Sequence, residues 1–134
     1  MPFAITQMPD EPILIVKIEV PLEQHLASIT SVNTQLAQLM NASSSQIYVL
    51  VDLRDQMLSF SDILIGIDLL KHPDSWIEQR AARPILVGSD PMIGIAVRRF
   101  KQQIKINLGH FETLDEALAY ARAEIARSDR PGDG

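Results

Sequence analysis

Residues 47–71, IYVLVDLRDQMLSFSDILIGIDLLK, constrain the fold more than any other part of the chain. Ile47-Tyr48-Val49-Leu50-Val51 is an unbroken apolar, β-rich run closed by Asp52, the pattern of a strand covered on both faces. From Ser61-Asp62 the chain turns apolar again at helical length, with Ile63, Leu64, Ile67 and Leu70 on one face. The stretch therefore reads as a central strand, a loop over the carboxyl edge of a sheet, and a helix. In open α/β sheets that edge is where ligands and partners meet the protein, so function is expected between Asp52 and Asp62. No residue pattern there spells out a reaction.

The flanking chain supplies more units of the same kind. Phe3 to Met8 reads as a short edge strand, turned by Pro9-Asp10-Glu11-Pro12 into Ile13 to Val20 to make an antiparallel hairpin. Leu22, Leu26, Ile29, Leu36, Leu39 and Met40 recur at helical spacing, and Asn41-Ala42-Ser43-Ser44-Ser45 ends that helix. His72-Pro73-Asp74 stops the next helix, because proline disfavours α geometry at the residue before it. Trp76 and Ile77 are expected to pack as one further turn. Pro84-Ile85-Leu86-Val87 is a strand, and Gly88-Ser89-Asp90-Pro91 a strand-to-helix turn with a capping residue before proline. Met92, Ile93, Ala96, Val97 and Phe100 form that helix's apolar face. Ile104, Ile106 and Leu108, interrupted by Lys105, read as a last strand. Thr113-Leu114-Asp115-Glu116 is a capping box opening a helix to about Arg127. The expected fold class is α/β: one domain over residues 1–127, with a mixed, mostly parallel sheet and flanking helices in the order β-β-α-β-α-β-α-β-α. Residues 128–134 read as a disordered tail.

Composition narrows the function classes. A chain of 134 residues with 46% hydrophobic content can bury a core of its own. Its net charge of -5 argues against a nucleic-acid partner. The absence of cysteine excludes disulfides, zinc–thiolate sites and thiol catalysis. No apolar run is long enough to span a membrane, and no signal peptide is evident, so a cytoplasmic protein is expected.

Candidate chemistry is sparse. His25, His72 and His110 stand in separate segments without metal-ligand spacing, and no metal or other cofactor is expected. Asp52, Asp55 and Asp62 form an acidic set, yet Asp62 after Ser61 at a helix start suits the helix dipole without a metal. Ser61 is expected to cap that helix. Arg98, Arg99, Lys101 and Lys105 make a basic patch that reads as a solvated face. Met57, Leu58, Phe60, Ile65 and Leu69 are harder to place: the first three are apolar residues in a loop, and the other two fall on the helix face opposite Ile63, Leu64, Ile67 and Leu70. Such a set marks a protein interface or a lid over a pocket.

Three stretches resemble the STAS-like superfamily and, within it, the SpoIIAA-like proteins related to anti-sigma factor antagonists. They are Val49-Leu50-Val51-Asp52-Leu53 with the loop and helix behind it, residues 84–91 (PILVGSDP), and Phe111-Glu112-Thr113-Leu114-Asp115-Glu116-Ala117-Leu118. The resemblance covers roughly Ile13 to Ile125. In antagonist proteins a partner kinase phosphorylates a serine at the start of the helix after the central strand. By that resemblance Ser61 is the phosphoacceptor candidate, Asp62 stands where a second serine would, and the family's glycine is absent. The resemblance implies a non-enzymatic interaction or regulatory module that binds a protein partner or forms a homodimer. The alternative it implies is a carrier of a small lipophilic ligand under the loop at residues 56–60.

Overall fold

The amino-terminal hairpin forms as expected: β1 (Phe3–Gln7) runs antiparallel to β2 (Ile13–Ile18), with Phe3 opposite Ile18 and Gln7 opposite Leu14. The computed structural model describes residues 3–128. β3 (Ile47–Asp52), β4 (Ala82–Val87) and β5 (Gly109–Phe111) then add in parallel, giving a five-stranded sheet in the order β1-β2-β3-β4-β5. The helices between them are α1 (Leu26–Ala42), α2 (Phe60–Leu70) and α3 (Pro91–Ile104), and α4 (Leu114–Ser128) follows β5. The α/β class and the mostly parallel sheet thus stand as read from the sequence.

Strand order settles where the helices go. Each parallel step moves one strand in the same direction, so right-handed crossovers place α1, α2 and α3 on one face of the sheet. The core shows that division. Leu14, Val16, Val49, Val51 and Leu86 point to the three-helix side, where Val32, Leu36, Ile63, Ile67, Ile93 and Phe100 meet them. Ile13, Tyr48, Leu50, Ile85 and Val87, alternating with those along the strands, meet Ala117 and Ala121 of α4 on the other face. Val49 and Leu50 have no accessible surface, as a continuous apolar run requires.

The connection after α2 is tied down by side chains. Ser75 Oγ donates to the Leu70 carbonyl at 2.7 Å, and Trp76 N–H donates to Asn33 Oδ1 of α1 at 2.9 Å. Trp76 and Ile77 are buried in the 3-10 turn Trp76–Glu78, the extra turn read from the sequence. A second 3-10 turn, Leu22–Gln24, precedes α1, so the helix starts four residues later than Leu22.

Two expectations about the carboxyl-terminal third change. Ile104 is the last residue of α3, and Lys105 takes a left-handed conformation (φ 61°) that ends the helix; Ile106 and Leu108 lie in the link to β5. Alternation of apolar residues over 104–108 resembled a strand, but the αL cap places the break at Lys105 and the strand begins only at Gly109. Ser128, assigned to the tail, is the last residue of α4; the rest of that tail lies outside the described residues.

Candidate functional site

The loop over the carboxyl edge, residues 53–59, is held at both ends and in the middle. Leu53 N–H donates to the Val87 carbonyl at 2.8 Å, and Val20 N–H donates to Gln56 Oε1 at 3.2 Å. Leu58 N–H donates to Asp90 Oδ2 at 2.8 Å, while Asp90 Oδ1 accepts from Met92 N–H at 2.9 Å. Asp90 therefore caps α3, as the sequence indicated, and fixes the loop with its other oxygen. That second role leaves no local signal, because its partner is 32 residues away.

Ser61 does not cap α2. The cap is Ser59: its Oγ accepts from Asp62 N–H at 3.1 Å, and Asp62 Oδ2 accepts from Ser59 N–H at 2.9 Å, a complete capping box. The helix begins two residues earlier than expected, with Phe60 in its first turn, and Ser61 stands exposed one position on. Asp62 is buried, and its Oδ1 accepts from Leu22 N–H at 2.8 Å, joining α2 to the turn before α1.

The acidic set is dispersed. Asp52, buried at the end of β3, receives Nε–H and Nη2–H from Arg54, each at 2.9 Å. These bonds hold its carboxyl below the usual carboxylate range. Asp55 is exposed at φ 67°, and Asp62 is used in the capping box. Among the described residues no three His, Asp or Glu side chains come together as metal ligands. The histidines also stay apart: His25 is 4.0 Å from Glu19, and His110 Nε2 lies 2.9 Å from the Gly88 carbonyl.

The five unexplained apolar residues split. Leu58 packs against the three-helix core, and both Leu58 and Leu69 line a partly open cavity. Ile65 is half-buried. Met57 and Phe60 do face outward, 87% and 42% exposed, and they are joined by Leu64, 47% exposed, which was expected in the core. The correction is one of rotation. α2 turns Ile63, Gly66, Leu69 and Leu70 toward the cavity and the turn Leu22–Gln24, and Leu64 toward α3.

The cavity, of about 120 Å³, lies between the sheet and the helical layer. Ile18, Val32, Val51, Trp76, Leu86 and Phe100 are among its walls. Its two polar side chains, Asn33 and Asp62, already accept backbone hydrogen bonds from Trp76 and Leu22. What remains facing the space is almost wholly hydrocarbon. No helix among the described residues is long and apolar enough to cross a membrane. No protein-family model matches the chain, and no curated protein matches it either.

Proposed function

We propose that the protein is a non-enzymatic binding module of STAS-like type whose interior takes up a small apolar molecule. The observation that carries this reading is the 120 Å³ hydrocarbon-walled cavity under Leu58 and the 53–59 loop. Protein interiors pack to crystal density and hold few voids larger than a water. The cavity is partly open, so its hydrocarbon lining meets water, and an apolar occupant would remove that surface from it. Dry cavities of about 150 Å³ admit benzene, so the ligand class is a small hydrocarbon or the apolar end of a larger molecule.

Benzene and toluene serve as probes. Saturable, concentration-dependent rises in Tm support the reading, since a ligand at a hundredfold over its Kd adds about 2.7 kcal/mol. Unchanged melts up to the solubility limit, together with native mass spectra free of retained small-molecule mass, refute it.

A second reading rests on Met57, Phe60 and Leu64. Three large apolar side chains exposed on a loop and helix start held by Asp90 and Asp62 suit a protein partner or a second copy. Sedimentation of the wild type beside Leu64→Asp separates the self-associating form of this reading from the foreign-partner form. Ser61, exposed on the first turn of α2, is the phosphoacceptor that the STAS resemblance proposes, although Ser59 and not Ser61 caps the helix, and a cytoplasmic location belongs to the same proposal.

A further inference from the structure

The groove between α2 and α3 combines exposed hydrocarbon with unpaired positive charge. Leu64 and Ile67 of α2 face Gln103 and Ile104 of α3 across a cleft of about 520 Å³. At its upper end Phe60 continues the stripe at i−4 from Leu64, and the Arg99 guanidinium lies 5.1 Å from the centre of the Phe60 ring. At its lower end stand Asp68, Lys71, Glu78 and Lys105, two carboxylates beside two ammonium groups. Lys71 is satisfied by Asp68 at 2.9 Å.

The cations of α3 are not satisfied in this way. The helix carries Arg98, Arg99 and Lys101, is followed by Lys105, and contains no carboxylate. Among the described residues none of the four makes an ion pair, although the chain as a whole has an excess of five acids over cations. Arg99 and Lys105 border the groove, and Arg98 and Lys101 are exposed farther round the helix. A net charge of -5 repels a polyanion at long range, while this patch attracts negative charge at contact distance. That combination suits a short acidic segment with apolar anchors better than a nucleic acid or an anionic bilayer.

We infer that the α2–α3 groove docks an acidic, amphipathic segment of another protein, its apolar side chains on Phe60, Leu64 and Ile104 and its carboxylates on Arg99 and Lys105. The inference rests on the reading of Phe60 and Leu64 as an interface and names the partner's chemistry. Two helices flanking a cleft with both apolar and polar walls form the kind of groove in which an amphipathic helix lies.

The probes are two labelled synthetic peptides with Leu at helical i, i+3, i+4 and i+7 spacing, one otherwise Glu-rich and one otherwise Lys-rich, titrated by fluorescence anisotropy. The Glu peptide is expected to bind and the Lys peptide to bind at least ~tenfold more weakly. Arg99→Glu with Lys105→Glu should weaken the Glu peptide by ~tenfold or more and reverse the preference, with circular dichroism unchanged. Binding of both peptides alike, lost in Leu64→Asp, overturns the acidic partner and leaves an interface of another kind. Binding of neither overturns the interface as well. Equal binding to duplex DNA or to phosphatidylserine vesicles, with the same dependence on Arg99, overturns it in favour of a general anion surface. A wild-type dimer broken by Leu64→Asp overturns it in favour of a second copy. Benzene-dependent melts on the same variants separate these results from the fate of the cavity reading.

Discussion

Gly66→Ala should make the protein more stable, and the size of the gain follows from the cavity. Gly66 sits inside α2, where glycine costs roughly 1 kcal/mol relative to alanine. It also lines the cavity, and a Cβ built on it would lie 3.8 Å from Phe100 Cζ and 3.9 Å from Leu22 Cδ1, ordinary van der Waals distances. The methyl enters space that is already open, so no neighbour has to move. Burying it adds up to ~0.8 kcal/mol, for a total of about 1–2 kcal/mol. For a chain of 134 residues the unfolding entropy is roughly 0.28 kcal/mol per K, so Tm should rise by about 5 °C. Thermal and urea melts followed by circular dichroism measure this directly. The same variant should bind benzene more weakly than wild type, because the methyl takes part of the room. An unchanged or lowered Tm would refute the reasoning, since it would mean the space beside Gly66 is already filled or α2 is packed too tightly to accept a methyl.

Gly88→Ala should act in the opposite sense: Gly88 has φ 155°, and a Cβ there would approach Ile93 Cδ1 to 2.8 Å and the Leu53 carbonyl to 3.3 Å, so a loss of about 2 kcal/mol or more is expected in urea melts. Ser59→Ala should cost about 1 kcal/mol by removing the cap of α2, whereas Ser61→Ala should change stability by less than about 0.5 kcal/mol; the reverse ranking would overturn the placement of the cap. Asp52 has a folded-state pKa below its ordinary 3.8 because Arg54 hydrogen-bonds the ionised form, so its contribution is fully present above that value and is lost as pH falls toward the lower folded one. Arg54→Met should therefore reduce stability at pH 7, leave it little changed near pH 2, and flatten the slope of ΔG between; an identical slope in both proteins would show that Asp52 does not drive it.

Elements whose signal is local were legible in the chain itself. The five apolar residues from Ile47 to Val51 can be satisfied only by cover on both faces, and the structure buries Tyr48 through Val51 on both sides of the sheet. Asp90-Pro91 marked the start of α3, because a cap and a proline at the first helical position act on neighbouring amides. Ser59, unlike Ser61, stands three residues before Asp62, a capping-box spacing legible in the chain itself, whereas the rotation of α2 was not. Tertiary contacts decided the rest. That rotation exchanged Leu64 and Leu69, since α2 is apolar nearly all round and its periodicity alone does not choose a buried face. The cavity has no sequence signature. It arises where Gly66 and Ala96, small residues on two helices, face the sheet with larger neighbours that do not fill the space between them. The charged groove likewise comes from α2 and α3 meeting side by side: the basic patch of α3 was plain in the sequence, but its position beside Phe60 and Leu64 is a property of the fold.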